Sequence, residues 1–453
     1  MLSLGKAARA KYLSEIGLWL FLCGVAFVLL VILLRRDRLS LGLPIAYLGS
    51  LLLIHVPGAS TPLLNDEFAF DANIIELGIR FTAIGALCFV AGVWIARFLD
   101  GKKRPLYHYV ERREFWLFCL IGGLFAEFGL SFLDSLPSVQ SALDKGSAIW
   151  MLGALLGLRC ALSRSDFKSI ITWSGLTLIS PILILLLAGF LSYGSAALIA
   201  VASALVVSIR SRFKLIFVVI LGVYLGLTVF VNYFIHRTDF RQIAWSGASF
   251  DARVEGAAGM FSNFHWFDPT NVEQLSALYK RLNQNYFVGT AALRIQQEQV
   301  SYLYGRTIWE GVEALVPRAL WPDKPVYGGS GHIVADMTGL QLNEESSWGV
   351  GNVMEFQINF GTPGVVIGFL ALGFLLGWLD LKAALADSRG DLGSLIMYFL
   401  PGLALIQPNG SLVEVSGGAA AAAVAAYLWR WAWHLWLQRT RHRVPRREFA
   451  PLR

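Results

Sequence analysis

Two short stretches in the last third of the chain hold most of its candidate chemistry. The first is Val316-Pro317-Arg318-Ala319-Leu320-Trp321-Pro322-Asp323-Lys324-Pro325, with three prolines in nine residues. Proline fixes its own φ and pushes the residue before it towards extended geometry. A turn this stiff would hold Arg318 and Lys324 toward a phosphate at little entropic cost, Arg318 through its two-pronged guanidinium. The same residues also fit a plain structural turn, with Asp323 pairing locally and Trp321 anchored at a membrane surface.

The second stretch, Gly351-Asn352-Val353-Met354-Glu355-Phe356-Gln357-Ile358-Asn359-Phe360-Gly361, runs straight into an apolar segment beginning near Pro363. Glu355 and Asn359 are four residues apart and share one face of a helix. A partly desolvated carboxylate there would have a raised pKa and would serve as a general base. A helix start with a merely wet polar face fits the spacing equally well. His332, after Gly328-Gly329-Ser330-Gly331, is a second candidate acid or base, set against the commoner solvated loop histidine. Arg237, Arg241, Arg253, Arg294 and Arg306 are further anion-binding candidates, each of which also fits a surface or salt-bridged residue.

Other chemistries lack their signatures. There is no P-loop, no GxSxG elbow, no HExxH and no paired-cysteine metal site, and no cofactor is expected. The acidic stretch Asn65-Asp66-Glu67-Phe68-Ala69-Phe70-Asp71 matches no standard metal spacing and reads as a solvated loop. Cys23, Cys88, Cys119 and Cys160 all fall inside apolar runs, as small packing residues do.

The elements that would carry these residues are set by composition. Of 453 residues 56% are hydrophobic and 15% charged, and the mean hydropathy is +0.57. Soluble domains carry about 25% charged residues. The apolar residues come in runs long enough to cross a hydrocarbon layer of about 30 Å, which demands helices. The net charge of +7 lies mostly in short loops and the tail, and it does not point to nucleic acid.

The fold expected is an all-α polytopic membrane protein with about eleven transmembrane helices (10–12) and one large extracytoplasmic loop domain. The runs are 16–34, 39–57, 74–98, 114–133, 146–162, two within 170–209 divided at Gly189–Gly194, then 215–235, 362–381, 392–413 and 415–437. This divides the chain into N-terminal spans over 1–235, an outer segment over 236–361, C-terminal spans over 362–437 and a basic tail over 438–453.

Loops rich in Lys and Arg (Arg35–Arg38, Lys102–Arg113, Arg164–Lys168, Arg210–Lys214) alternate with loops almost free of them, and the tail is basic. Basic loops stay cytoplasmic, so the tail is expected inside and 236–361 outside. Eleven spans then place the N-terminus outside despite Lys6, Arg9 and Lys11. Gly417-Gly418 followed by Ala419–Ala423 predicts a helix face that packs closely on a neighbour. Glu298–Leu315 is predicted helical up to the break at Pro317. Arg80 and Glu127, costly inside a membrane, are candidates to pair.

In these features the chain resembles the Wzy-type polysaccharide polymerases, which join lipid-linked oligosaccharide repeat units, and more broadly the GT-C-type membrane glycosyltransferases. The resemblance rests on the many spans, the large outer loop late in the chain, Tyr304-Gly305 followed by the Pro317–Pro325 turn, and Gly351 through Glu355 to Asn359-Phe360-Gly361.

It implies glycosyl transfer outside a bacterial cytoplasmic membrane, from a polyprenyl-diphosphate-linked glycan to a sugar hydroxyl. Arg318, Lys324, Arg241, Arg253, Arg306, Trp321 and Asn359 would bind diphosphate or substrate, and Glu355 or His332 would act as the base. No metal is needed if guanidinium groups stabilise the leaving diphosphate. A flippase and a chain-length regulator are the partners implied, besides membrane lipid. Related enzymes often carry a Ser-Arg pair in a short central outer turn. Here Leu191-Ser192-Tyr193-Gly194-Ser195 has no arginine, so Arg241, Arg253 or Arg318 would have to replace it. An O-antigen ligase is the nearest alternative, and a polysaccharide or lipid transporter is an alternative of a different class.

Overall fold

The computed structural model describes residues 6–100, 113–130, 137–188, 191–209, 211–246, 249–260, 264–316, 320–325, 329–341 and 348–441. Among these the chain is helical throughout, with no strand. The helices are α1 (Lys6–Asp37), α2 (Leu43–Leu64), α3 (Ala72–Leu99), α4 (Arg113–Leu124), α5 (Pro137–Ser147), α6 (Ile149–Arg164), α7 (Phe167–Ala188), α8 (Leu191–Ser208) and α9 (Arg212–Trp245). There follow α10 (Phe250–Met260), α11 (Val272–Arg281), α12 (Asn285–Gln296), α13 (Arg306–Ala314), α14 (Ser330–Thr338), α15 (Asn352–Arg389), α16 (Leu392–Ala404) and α17 (Leu412–Arg441).

Seven helical stretches among the described residues are long and apolar enough to cross a membrane, and three shorter apolar helices accompany them. The long ones lie in α1, α2, α3, α5–α6, α9, α15 and α17; the short ones are Phe167–Ile179, Leu198–Ser208 and Leu392–Ala404. α1, α9 and α17 bury the least of their apolar stretches, as helices at the rim of a bundle do.

The centre is the pair α3 and α15. Their backbones approach so closely that a Cβ on Gly92 would lie 2.2 Å from the Leu370 carbonyl oxygen, and one on Gly373 would lie 2.1 Å from that of Phe89. Small residues at such crossings replace the hydrophobic drive that lipid cannot supply.

One end of this pair carries a buried charged lock. Asp380 of α15 accepts from Arg97 of α3 at 2.9 Å and from the backbone amides of Leu41 and Leu43 at 2.9 and 3.2 Å. Lys382 pairs with Asp100 at 2.9 Å, and Arg35 donates to the Ile209 carbonyl. The C-terminal end of α1 and the residue after α8 therefore meet at one end of the bundle.

The N-terminus lies at the other end. Arg9 pairs with Asp66 at 3.1 Å, so a basic start to α1 is matched by the acidic residues beside it.

At that second end α2 is opened by Pro57, which has no N–H to give the preceding turn. The turn before α12 fills the gap: Gly58 N donates to the Leu282 carbonyl at 2.9 Å, and Gln284 N donates to the Ile54 carbonyl at 3.0 Å. His55 Nδ1 meets Asn285 Oδ1 at 2.8 Å and fastens the same turn to α2.

Three local expectations change. The run 392–413 is helical only to Ala404. Residues Leu405–Ser411 then form a folded-in turn around Pro408-Asn409-Gly410, so α16 is about 20 Å long at 1.5 Å per residue, short of a full crossing. The helix expected from Glu298 starts only at Arg306. Tyr304 and Gly305 have φ of 47° and 90°, while Leu303 N bonds to the Ile358 carbonyl at 2.9 Å; tertiary bonding overrides local propensity there. Arg80 lies over the Phe81 ring at 5.7 Å and Glu127 is exposed on a π-helical turn, and among the described residues no ion pair joins them.

The small face of α17 packs as expected. Gly417 lies against Ala314 of α13, and Gly418 against the Lys145 side chain of α5.

Candidate active site

Glu355 sits in the first turn of α15 and is fully buried. Its Oε2 accepts from the backbone amide of Leu412 at 2.7 Å. That amide is one of the orphan donors of the α17 N-terminus, where the helix dipole favours negative charge. The neighbouring amides are satisfied by a reciprocal cap: Ser411 N donates to Glu414 Oε2 at 3.0 Å, and Glu414 N to Ser411 Oγ at 3.2 Å. The Thr307 hydroxyl, Glu414 and Glu310 are close enough to act on the Glu355 carboxyl. Its Oε1 has no hydrogen bond of full geometry among the described residues.

The turn Leu405–Ser411 builds the roof of this site. Gly351 N and Asn352 N donate to the carbonyls of Asn409 and Pro408 at 3.2 and 2.9 Å, and Asn352 Nδ2 donates to the Gly410 carbonyl at 3.3 Å. Gly351 has φ 71°, a conformation that a side chain would strain. The floor is Asn359. Its Nδ2 donates to Thr307 Oγ1 and to the Glu355 carbonyl, both at 2.7 Å, and its Oδ1 accepts from Gly305 N at 2.9 Å. Both amide hydrogens are thereby used, so Asn359 fixes the start of α13 against α15.

A second feature at the same end is a cluster of guanidinium groups. Arg237 and Arg241 are four apart on α9, beyond its apolar run, and Arg281 ends α11. Arg241 donates to the Tyr233 hydroxyl at 3.3 Å, Arg237 lies over the Phe234 ring at 4.1 Å, and Arg281 over the Trp348 ring at 4.8 Å. Burial and then the like charges of Arg237 and Arg241 push the Arg281 guanidinium down to about 10. Three cations held this close favour a multiply charged anion. Trp348 connects the two features, since only seven residues separate it from Glu355. Their α carbons are therefore at most about 25 Å apart.

The other sequence candidates fall as follows. Arg306, exposed at the start of α13, pairs with Glu310 at 3.6 Å. His332 is exposed on the first turn of α14, whose Ser330 hydroxyl donates to Glu414 Oε1 at 3.1 Å, so α14 joins the Glu355 site through Glu414. Lys324 donates back to the Val316 carbonyl at 3.0 Å, and Trp321 is partly exposed beside it. Arg253 lies on α10, which packs on α9 through Gly256. Arg318 lies outside the described residues. The structure thus groups Glu355 with Asn359, puts the exposed Arg306 on the same helix as Thr307 and Glu310, leaves His332 exposed on α14, and places Arg241 in a different cluster.

Sequence reasoning missed Arg281, Trp348, Thr307, Glu310 and Glu414. Ser411-Leu412-Val413-Glu414 carries a readable signal, the spacing of a helix capping box. Arg281 carries none, because its neighbours are 40 and 44 positions away.

Residues 63–402, well over half of the chain, match DUF8712, a domain of unknown function. The chain belongs to the DUF8712 family. No curated protein and no solved structure matches it. The DUF8712 stretch contains the guanidinium cluster, His332, Glu355 and Asn359. It stops before Ser411 and Glu414, so the helix end that receives the carboxylate lies beyond it.

Proposed function

We propose that the protein polymerises polyprenyl-diphosphate-linked oligosaccharide repeat units into a surface polysaccharide, by metal-independent glycosyl transfer on the outer face of a bacterial cytoplasmic membrane. In this reading the bundle has about eleven spans, the Asp66–Asp71 end faces outward and the basic tail faces the cytoplasm. The observation that carries it is the presence, at the same end of a bundle of long apolar helices, of the buried Glu355 carboxylate and of the separate cluster of Arg237, Arg241 and Arg281.

Transfer of a sugar from a diphosphate needs two things from the protein. Negative charge developing on the leaving diphosphate must be stabilised, and fixed guanidinium groups do this without reorganising. The attacking hydroxyl must lose its proton, a task that a carboxylate such as Glu355 can perform. Arg237, Arg241 and Arg281 are assigned to the diphosphate, with Arg318 and Lys324 as further contacts. Glu355 is assigned as base, with His332 as the alternative. The polyprenyl tail would enter sideways from the bilayer.

A deletion strain tests the reading through its lipid-linked glycan pool. Loss of a polymerase leaves single repeat units on the lipid and single-unit caps on lipopolysaccharide. Loss of a ligase removes all caps, and loss of a transporter strands the units on the cytoplasmic face. Either of the last two patterns, or an unchanged polymer ladder, would replace the proposal.

A further inference from the structure

α13 presents three faces. Thr307, Gly311 and Ala314 form a buried stripe that packs on α17, where a Cβ on Gly311 would lie 3.1 Å from Leu412 Cβ. Arg306, Glu310 and Glu313 form a charged stripe. The remaining face is apolar and open: Trp309 is 64% exposed, Val312 48% and Leu315 48%, and Leu320, just beyond the helix, 79%. A water-facing helix rarely carries so much contiguous apolar surface without a partner.

Three observations identify what covers it. First, the face continues into the flank of a membrane-crossing helix. A Cβ on Gly305 would lie 3.0 Å from the Phe360 ring at the head of α15, and Phe360 and Ile367 of that helix are 46% and 67% exposed. Second, α13 rests on α17 and α15, both long and apolar enough to cross a membrane, so it lies at the level where those helices leave the bilayer. Third, its border residues are those of a membrane surface: the aromatic rings of Tyr304, Trp309 and Trp321, with Arg306 at the helix start.

We propose that α13 is an interfacial helix whose Trp309–Val312–Leu315 face is inserted among the lipids of the leaflet at the Glu355 end. The helix buries its small stripe on the protein and its apolar stripe in the acyl-chain boundary, leaves Arg306 and Glu313 toward the headgroups and water, and keeps Glu310 on the Glu355 side. Because Asn359 ties Gly305 and Thr307 to Glu355, this insertion also sets the depth of Glu355 relative to the headgroups. The lipid contact itself does not depend on the reaction assigned above.

Spin-label accessibility tests it on the full-length protein in lipid nanodiscs. Cys23, Cys119 and Cys160 are buried and Cys88 is half-buried, so Cys88→Ala with an unlabelled control provides the background. Nitroxides are then placed at Val312→Cys, Leu315→Cys and Glu313→Cys, and relaxation by oxygen, which partitions into lipid, is compared with relaxation by a water-soluble nickel chelate. The expected oxygen-to-nickel ratio at positions 312 and 315 is several-fold above that at 313. Ratios dominated by nickel at all three positions would put the face in water. Protection from both reagents at 312 and 315 would mean a protein partner or a second copy covers it. Either result overturns the proposal. Brominated lipids give an independent readout free of cysteine changes: they should quench less tryptophan fluorescence in Trp309→Phe than in the wild type, and equal quenching would contradict the insertion.

Discussion

At the scale of single residues, Glu355 has two separable duties. Its Oε2 accepts the Leu412 amide, which any side-chain carbonyl would do, whereas proton uptake requires a carboxylate. Glu355→Gln keeps the first and removes the second. Polymer should disappear from cells carrying it while the protein melts within about 1 kcal/mol of the wild type, the size of one ordinary hydrogen bond. Full chain-length ladders in that variant would reduce Glu355 to a helix cap. Glu355→Ala also strands the buried amide and should cost about 1–3 kcal/mol in addition.

The arginine cluster makes a second prediction at this scale. Arg281 is lowered from its ordinary 12.5 to about 10, so the unfolded chain holds its proton more tightly than the folded one between those values. The resulting cost to the fold is fully present below about pH 10 and relieved above it, hence undiminished at neutral pH. A bound polyphosphate would offset it. Inorganic pyrophosphate should therefore raise the melting temperature of the purified protein at pH 7, less so at high salt, and Arg281→Ala should abolish most of the rise. An equal rise in that variant would place the anion elsewhere.

The spacing of Glu355 and Asn359 and the i,i+4 pair Arg237–Arg241 could be read from the sequence because they are local. Arg281 and Glu414 could not, since only the packing of α11 on α9 and of α17 on α15 brings them in.

Among the elements, two breaks in helices shape the site. The turn Leu405–Ser411 ends α16 early and aims the α17 N-terminus at Glu355, which irregular backbone at such depth can do only when buried in protein. Ser411 caps that end, so Ser411→Ala should cost about 1 kcal/mol of stability, measured by thermal melting in detergent, and should reduce polymerisation through Glu355 placement. The apolar pattern hid this turn, because Leu403–Ile406 and Leu412-Val413 read as one run across Pro408-Asn409-Gly410. The late start of α13 was hidden for a related reason. The bonds that hold Leu303–Gly305 out of a helix come from Ile358 and Asn359, more than 50 positions away.

The buried lock at the far end belongs to this scale as well. Asp380→Ala leaves Arg97 buried without its carboxylate, which should cost about 3–5 kcal/mol, whereas replacing both by apolar residues should recover much of it. A single variant as stable as the wild type would show that the pair adds nothing.

For the whole molecule, composition and charge pattern were the legible part. Apolar runs marked the long helices, and the bond from Arg35 to the Ile209 carbonyl brings the end of α1 to the residue after α8. The count of crossings was less legible, because α4 and α16 are each shorter than a bilayer requires and rest on protein rather than on their own length. The same architecture places the buried Glu355 carboxylate and the Arg237, Arg241 and Arg281 cluster at one end of the bundle.

The most direct test is reconstitution of the purified protein in liposomes with a polyprenyl-diphosphate-linked repeat unit as the only glycan and no metal added. A polymerase yields a ladder of lipid-linked oligomers with release of polyprenyl diphosphate, and no ladder with Glu355→Gln. Repeat units recovered unchanged from wild-type protein that is folded and shown to bind them would contradict that activity.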